Sequence, residues 1–264
     1  MTQEKKFLVD VGISGVPFPM YVSSRENSQE GQHTIATISI NARIMQEFEA
    51  RWIDAFIEIL HSHRDRIGTK TLAANIVDYL KKLKATAVRV DFEYPFFIEK
   101  QTPVSKDKCL VQYLCAYSAK VSSLDEKPKI FQKIEVPAIT TYPASIPETP
   151  GGLFGQLSVV LIEFEAKKDV YPEDIVDIVD RQALVPVYSF LTQEDQAYVI
   201  QKIHSEKKSS VVMLDGIKEE IGKNSAISWY SVRASNYGML HTYNTVVATE
   251  KSMWVPFSGF DEEL

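Results

Sequence analysis

The hydrophobic period of the sequence switches several times between two and about 3.6 residues, and this order of segments constrains the fold most. Residues 33–44 alternate apolar and polar side chains as a strand does, whereas apolar residues in 48–66 and 71–84 recur at helical spacing. Residues 87–97 and 109–121 alternate again and predict two further strands. A first strand near the N-terminus is only faintly indicated. The first half therefore predicts the order strand, strand, helix, helix, strand, strand.

The second half repeats this order after a polar turn at residues 122–129. Its predicted strands, helices and strands are residues 130–141 and 156–166, then 172–190 and 193–221 with a break near 207–210, then 226–236 and 241–251. Strands, paired helices and strands again favour an α+β fold with an antiparallel sheet and helices on one face. The edges of such sheets are commonly covered in oligomers.

Length and composition disfavour several classes of protein. The chain has 264 residues, 45% of them hydrophobic and 24% charged, which suits a globular protein of one or two domains. A net charge of −6 disfavours nucleic acid as a partner, because phosphate contacts require clustered basic residues. The sequence contains no run of about 18 apolar residues and no secretory segment, so we expect no membrane span and a cytoplasmic location. Cys109 and Cys115 are expected to be buried, reduced thiols.

A long loop between the first two strands of the second half is the best candidate for a functional segment. Residues 142–156 contain three prolines and three glycines, and the segment is too long for a tight hairpin turn. Loops of this length usually carry function or are exposed and mobile, and the composition leaves both interpretations open.

Short motifs along the chain resemble the type IB GTP cyclohydrolases. Val-Gly-Ile-Ser-Gly-Val at residues 11–16 is similar to their opening Val-Gly-(Ile/Val)-Lys-Gly, and Gln-His-Thr-Ile-Ala at 32–36 is similar to their Gln-His-Thr-Val-Ala. Residues 56–60 resemble their first-helix Phe-Val-Glu-Ile-Leu, and residues 94–105 resemble their Phe-Pro-Phe-Phe-Ile-Asn-Lys-Lys-Ala-Pro-Val-Ser. The motifs follow in order over almost the whole chain.

This resemblance implies a tandem T-fold, with an N-terminal module at residues 1–125 and a C-terminal module at 126–264, that assembles as a homotetramer. The family opens the purine ring of GTP with a metal-activated water and recloses it as a dihydropterin. Its metal is held by a cysteine and a histidine of the long loop, a glutamate after the first helix and a histidine of the late strand pair. A further glutamate anchors guanine.

The chain departs from the family pattern at most of the metal-binding positions. Tyr142 stands at the ligand cysteine, Phe154 at the ligand histidine and Gln196 at the ligand glutamate, so that only His241 remains. A zinc site needs about four donors, at least three of them from the protein. Phenylalanine offers no donor, and a neutral amide is a weak ligand for zinc. We therefore predict no bound metal and no other cofactor.

The departures extend to the positions that contact the substrate in the family. Val211 falls on or near the guanine-anchoring glutamate, and Trp52 and Ala55 replace a histidine and an arginine of the first helix. Together with Tyr142 and Phe154, Trp52 is expected to make the pocket aromatic and dry. Such a pocket suits stacking on a flat heteroaromatic ligand.

The other histidines are weaker candidates for chemistry. His33 lies on a strand without an evident acidic partner, and His61 and His63 point in different directions on a helix. His204 lies at a polar helix end. The sequence has no P-loop, dinucleotide-binding, nucleophile-elbow or zinc-protease motif.

The predicted site therefore combines two catalytic and five binding residues. His241 and Tyr142 are the candidate proton-handling residues. The candidate substrate-binding residues are Phe154, Gln156, Gln196, Trp52 and His33. Three functions remain open: a zinc-independent enzyme acting on a purine, pterin or related ring, a non-catalytic protein that binds a pterin-like ligand or a partner, and a GTP cyclohydrolase with altered ligands.

Overall fold

The computed structural model describes residues 8–25, 31–45, 52–62, 68–123, 127–148 and 150–251. Its elements in chain order are β1 (Leu8–Val22), β2 (Gln32–Met45), α1 (Trp52–Ser62), α2 (Thr69–Lys82), β3 (Ala87–Gln101), β4 (Lys108–Ser122), β5 (Lys129–Thr141), β6 (Gly155–Ala166), α3 (Pro172–Gln182), β7 (Val185–Pro186), α4 (Gln193–Ser205), α5 (Ser210–Lys223), β8 (Ile227–Tyr237) and β9 (Thr245–Glu250). The predicted α+β class with a mainly antiparallel sheet is confirmed.

The chain divides into two compact units that are not continuous in sequence. The first comprises Met1–Pro95, Cys115–Gln132 and Glu165–Tyr171, and the second comprises Phe96–Leu114, Lys133–Phe164 and Pro172–Leu264. The predicted modules are defined by sequence order instead, and residues 124–126 at their boundary lie outside the described residues. The division into modules at 1–125 and 126–264 therefore stays a prediction.

Strands β1 to β4 neighbour each other in chain order, and β1 and β2 lie wholly in the first unit. β1 pairs antiparallel with β2, from Leu8 opposite Met45 to Val22 opposite Gln32. Alternate side chains of β2 are buried, because successive residues of a strand point to opposite faces; they are Ala36, Ile38, Ile40, Ala42 and Ile44. The faintly indicated first strand is thus a full strand of 15 residues. Its glycines and prolines weaken the strand signal in the sequence.

The following strands have the order β5-β6-β8-β9, with β7 beside β5, and most of each lies in the second unit. Strands β8 and β9 are antiparallel. Helices α3 and α5 contribute fully buried side chains at helical spacing, namely Ile175, Val179, Met213, Ile217 and Ile221. This apolar layer fixes the strands whose ends carry the candidate site.

Helix α3 is shorter than the sequence predicts. The pattern predicts a helix over 172–190, but α3 ends at Gln182. The backbone N–H of Leu184 donates to the carbonyl of Ile139 at 3.0 Å, and the following two residues pair with β5 as β7. Tertiary pairing therefore overrides the helical period here.

Two features near the end of the chain bear on the site. The predicted break in the second helical stretch is confirmed, because α4 ends at Ser205 and Ser209 caps α5 by accepting a hydrogen bond from the N–H of Val212 at 3.3 Å. The last strand was predicted to begin at residue 241, and this was wrong. β9 begins at Thr245, so His241 lies in the connection between β8 and β9.

Two smaller expectations also have outcomes. Cys109 and Cys115 are both buried and form no disulfide. Within the described ranges, none of the helices combines the length and apolar character that a membrane span requires.

Candidate functional site

The long loop leaves β5 at Tyr142 and returns to β6 after Phe154, and hydrogen bonds tie its two ends together. The N–H of Tyr142 donates to the carbonyl of Phe154 at 2.9 Å. The carbonyl of Tyr142 accepts from the N–H of Ser145 at 3.0 Å and from its hydroxyl at 2.7 Å. These bonds continue the pairing of the two strands into the loop and fix the backbone at its ends.

The side chains of Tyr142 and Phe154 stack on each other beside this backbone contact. Their ring centroids are 4.9 Å apart with an interplanar angle of 16°. Tyr142 is only 7% exposed, and Phe154 is partly buried. Gly238 makes room for the tyrosine, because a Cβ at this position would lie 2.7 Å from Tyr142 Cε2.

A cavity of about 180 Å³ lies against the tyrosine ring. Its lining residues come from the long loop, from β6, β8 and β9, and from the β8–β9 connection; they are Tyr142, Pro143, Ala144, Gln156, Asn236, Gly238, His241, Tyr243 and Thr245. Three predicted site residues, Tyr142, Gln156 and His241, therefore line one cavity.

A chain of hydrogen bonds crosses four strands at the base of the cavity. The amide Nε2 of Gln156 donates to Thr140 Oγ1 at 3.3 Å, and the Thr140 and Ser158 hydroxyls are 2.8 Å apart. The Ser158 hydroxyl donates to Asn236 Oδ1 at 2.7 Å, and Asn236 Nδ2 donates to Thr245 Oγ1 at 3.4 Å. Since Gln156, Thr140, Ser158 and Asn236 are buried, these bonds hold the amide groups in fixed orientations.

A second aromatic pair also lines the cavity. His241 and Tyr243 stack with ring centroids 4.8 Å apart and an interplanar angle of 12°. Both side chains are exposed, and Tyr243 is 61% exposed. An imidazole at the rim of the cavity can exchange protons with both solvent and a bound ring.

The other predicted residues occupy different places. Phe154 backs Tyr142 without lining the cavity, and the exposed Gln196 donates its amide to the Leu191 carbonyl at 3.1 Å. Trp52 and His33 belong to the first unit: Trp52 contacts Phe56 at 5.4 Å between ring centroids, and His33 contacts Tyr21 at 3.7 Å. The binding roles of Gln196, Trp52 and His33 stay predictions.

Helix α4 carries a buried carboxylate at its N-terminal end and contacts the long loop at its C-terminal end. Asp195 at its N-terminus is fully buried, and its carboxylate accepts hydrogen bonds from Val104, Ser105 and Thr192. Burial alone raises the pKa of the Asp195 carboxyl, but the bonds from Thr192, Ser105 and Val104 outweigh it and hold the pKa well below its usual range. At the other end of the helix, His204 Nδ1 lies 2.5 Å from the Leu153 carbonyl, next to Phe154.

A family model described as type I GTP cyclohydrolase folE2 matches residues 2–247, which is most of the chain. The chain belongs to the type I GTP cyclohydrolase FolE2 family. The predicted cyclohydrolase resemblance is confirmed at this level, and the names of the relatives do not carry the subdivision IB.

Relatives within the FolE2 family align along nearly their full length. GTP cyclohydrolase FolE2 of Geotalea uraniireducens (strain Rf4) is 30% identical over 241 residues, which cover 91% of this chain and 87% of that protein. GTP cyclohydrolase FolE2 of Syntrophus aciditrophicus (strain SB) is 30% identical over 91% of this chain and 93% of its own length. The protein of the same name from Thermosipho africanus (strain TCF52B) is 27% identical over 90% of both chains.

Solved structures of urate oxidases share the fold. A uricase from Bacillus fastidious matches with a TM-score of 0.55 at 10% identity and covers 94% of both chains. Urate oxidase from Bacillus sp. TB-90 matches with a TM-score of 0.54 at 10% identity, covering 93% of this chain and 99% of that one. Identity this low shows the shared fold alone.

The residues that line the cavity offer few donor atoms to the metal that the FolE2 resemblance implies. Tyr142 and Phe154 stack as rings, Phe154 has no donor atom, and the Gln196 amide does not line the cavity. His241 is the one imidazole among the lining residues. Across the residues that the structure describes, no three His, Cys, Asp or Glu side chains come together. A zinc site needs at least three protein donors, and the expectation that the chain binds no metal stays a prediction.

Four lining residues were missed by sequence reasoning in this FolE2 family member: Asn236, Gly238, Tyr243 and Thr245. All belong to the β8–β9 hairpin, whose two strands the periodicity does predict. A glycine and two tyrosines close to His241 could have indicated that this hairpin contributes to the site. Glycine in such a position marks the close approach of a side chain to the backbone.

Proposed function

We propose that the cavity binds a flat purine or pterin ring and that this ring lies against the Tyr142–Phe154 stack. The observation that carries this proposal is the convergence of Tyr142, Gln156 and His241 on one cavity of about 180 Å³. Tyr142 offers its ring for stacking, and Gln156 and Asn236 offer amide groups held by buried hydrogen bonds. Most apolar ligand sites combine aromatic walls with a few fixed polar groups in this way.

His241 and Tyr142 are the side chains that we propose for proton transfer to or from the bound ring. The imidazole of His241 lines the cavity and is exposed, so it can exchange protons with solvent. The proposed chemistry is zinc-independent. Elemental analysis of protein purified without chelator checks this point: we expect no stoichiometric zinc or manganese. About one metal ion per chain that is lost in His241→Ala would contradict it.

Binding is tested with a thermal-shift panel of purines, pterins and related bicyclic compounds. A ligand at 100 times its dissociation constant stabilises a protein by about 2.7 kcal/mol, which is readily detected. Tyr142→Ala should weaken the best ligand at least tenfold, because it removes the stacking surface. Tyr198→Ala is the matched control, since Tyr198 is an exposed tyrosine of α4 that does not line the cavity. A panel without any stabilising compound would refute the proposal.

The family match favours a second candidate function, the conversion of GTP to 7,8-dihydroneopterin triphosphate. It rests on the agreement with the FolE2 model over residues 2–247 and on relatives named GTP cyclohydrolase. Incubation with GTP under added zinc or manganese, with fluorescence detection of the oxidised pterin, tests it. Product formation that His241→Ala abolishes would establish this function. Ring binding without product from any compound of the panel would point to a non-catalytic binding protein instead.

We further propose that the fold consists of tandem T-fold modules, residues 1–125 and 126–264, in a cytoplasmic homotetramer. The order strand, strand, helix, helix, strand, strand over β1 to β4 supports the first module, and the second half begins and ends with strand pairs as well. Among the described residues, strands β1 and β9 end the pairing order, and another copy pairing with their outer edges would cover them. Light scattering after gel filtration decides this point, and a monomer at micromolar concentration would contradict it.

A further inference from the structure

Two buried hydroxyl groups lie behind the side-chain amides of the cavity. Thr140 and Ser158 are both 0% exposed, and neither is one of the lining residues. They stand between Gln156 and Asn236, which do line the cavity, and the four side chains form one chain of hydrogen bonds. Since solvent does not reach the two hydroxyls, their hydrogen bonds have to be made within the protein.

The direction of this chain follows because a hydroxyl has a single proton to donate. Ser158 donates its proton to Asn236 Oδ1 at 2.7 Å, so in the 2.8 Å contact between the two hydroxyls Thr140 is the donor and Ser158 the acceptor. Thr140 then has only lone pairs for Gln156, and its oxygen accepts from Gln156 Nε2 at 3.3 Å. All protons of the chain therefore point the same way, from Gln156 toward Asn236.

This direction decides which atom of each amide is left for the cavity. Gln156 uses Nε2 within the chain, so its Oε1 is left as a hydrogen-bond acceptor. Asn236 uses Oδ1 within the chain, so its Nδ2 is left as a donor, and it donates to Thr245 Oγ1, another lining atom, at 3.4 Å. A reversed chain would exchange the two, with a donor at Gln156 and an acceptor at Asn236.

We infer that Thr140 and Ser158 are positioning residues that keep Gln156 as an acceptor and Asn236 as a donor toward the cavity. The bonds of such a chain polarise and strengthen one another, so turning one amide requires every bond in the chain to be remade. The consequence for ligand binding rests on the proposed function, whereas the orientation of the amides is a property of the protein without ligand.

Neutron diffraction from a crystal of the whole protein exchanged into heavy water tests the direction of the chain. We expect deuterium on Ser158 Oγ toward Asn236 Oδ1, and deuterium on Thr140 Oγ1 toward Ser158. Deuterium on Ser158 directed toward Thr140, with Asn236 Nδ2 facing Ser158, would overturn the inference.

Two adjacent threonines provide matched variants for the positioning role. Thr140→Val removes a hydroxyl of the chain, while Thr141→Val removes a buried hydroxyl that instead accepts from the Lys208 N–H at 2.7 Å. Both variants should lose stability, because each loses a buried hydrogen bond. Only Thr140→Val should speed hydrogen exchange at the side-chain amides of Gln156 and Asn236, by about tenfold or more, as measured by NMR on isotope-labelled protein.

The exchange rate at Asn236 separates a positioning role from a merely local one, because Asn236 is joined to Thr140 only through Ser158. Thr140→Ser keeps the hydroxyl and should restore slow exchange at both amides. Ser158→Ala interrupts the chain at the next hydroxyl and replaces Thr140→Val if that variant does not fold. Amide exchange as slow as in the wild type after the chain is cut, or equally fast exchange in Thr141→Val, would contradict the inference.

Isothermal titration calorimetry with pterin and guanosine tests the consequence for the site. Thr140→Val should weaken binding by about fivefold or more, whereas Thr140→Ser and Thr141→Val should stay within about twofold of the wild type. If the wild type binds a probe and Thr140→Val binds it equally well, the inference fails and the proposed function stands. If the wild type binds neither probe nor any other compound of the thermal-shift panel, the proposed function fails, and neutron diffraction and hydrogen exchange still decide the inference.

Discussion

The two aromatic pairs beside the cavity have nearly the same stacking geometry but differ in burial and in their contacts with the rest of the protein. Tyr142 and Phe154 stack at 4.9 Å and 16°, and His241 and Tyr243 stack at 4.8 Å and 12°. Tyr142 is 7% exposed, whereas Tyr243 is 61% exposed. The first pair is therefore part of the folded core, and the second is a surface contact. A parallel stack alone does not tell which of the two stabilises the protein.

The difference in support comes from what lies behind each pair. Hydrogen bonds from Ser145 hold the backbone of Tyr142, and His204 contacts the loop next to Phe154. The side chains of His241 and Tyr243 have no hydrogen-bond partner among the described residues. We therefore expect the Tyr142–Phe154 pair to form a rigid wall and the His241–Tyr243 pair to adjust to a ligand.

The largest effect is expected from Asp195→Asn, which removes the carboxylate that joins the N-terminus of α4 to Val104 and Ser105. Five hydrogen-bond donors face the Asp195 carboxylate, and an amide group would oppose some of them with its own N–H. The melting temperature at neutral pH should fall more than for any other variant proposed here. Circular dichroism of wild type and variant gives the comparison. An unchanged melting temperature would show that the network does not support the fold.

The same carboxylate predicts a pH dependence with a definite sign. Hydrogen bonds lower the pKa of folded Asp195 below that of the unfolded chain, which is about 3.9. Its contribution to stability is therefore fully present above about pH 4 to 5 and is lost as the pH falls through the lowered pKa of the folded state. Asp195→Asn should lack this part of the acid destabilisation. Parallel pH curves for the two proteins would contradict the assignment.

The next largest effect compares the two tyrosines directly. Tyr142→Ala should lower the free energy of unfolding by about 3 kcal/mol, because it opens a cavity beside Phe154 in the core. Tyr243→Ala should change it by no more than about 0.5 kcal/mol, since the side chain is mostly in solvent. Urea denaturation measures both. Equal losses of unfolding free energy in the two variants would contradict the distinction between a buried and an exposed aromatic pair.

The hydrophobic periodicity of the sequence predicted most of the strands and helices. Its predictions failed where tertiary pairing determines the structure. In β2 the apolar residues alternate, and in α5 they recur at helical spacing, because each element buries one face. Such patterns are local and can be seen in the sequence. The end of α3 at Gln182 depends instead on the pairing of Val185 with Ile139, which a local pattern does not contain. The weak signal of β1 has a different cause, because its side chains are mostly exposed and it contains two glycines and two prolines.

The sequence predicted only those residues of the candidate site that lie at or beside family motif positions. Tyr142, Gln156 and His241 were identified because they stand at or beside positions that carry chemistry in the resembling family. Asn236 was not identified, because its role depends on a hydrogen bond to Ser158, which is 78 residues away in the sequence. Such a contact follows from the strand order β6-β8, and composition and spacing do not predict it.

A smaller effect is expected from filling the space that Gly238 leaves for Tyr142. Gly238→Ala places a Cβ 2.7 Å from Tyr142 Cε2, so the ring must shift, and we expect a loss of about 1–2 kcal/mol. Gly222→Ala is the matched control in α5, where the new Cβ meets only the Tyr230 hydroxyl at 3.6 Å. Alanine favours helix over glycine, so this control should gain about 0.5 kcal/mol. Two losses of equal size would show that the packing against Tyr142 is not the cause.

The smallest effect tests whether the wall is supported from α4. In the described geometry His204 Nδ1–H donates to the Leu153 carbonyl at 2.5 Å, and His204 itself is exposed. His204→Ala should lower the free energy of unfolding by about 1 kcal/mol, the usual contribution of one hydrogen bond. His204→Asn keeps a donor near the position of Nδ1 and should recover part of the loss.

Ligand binding distinguishes a positioning role of His204 from a purely structural one. His204→Ala should weaken binding of the best ligand about two- to fivefold, because Phe154 is held less firmly, and His204→Asn should restore the affinity. Tyr243→Phe should leave the free energy of unfolding unchanged. If alanine and asparagine bind the ligand equally well, His204 has no positioning role, and the rigidity of the wall comes from Ser145 and the packing around Gly238 alone.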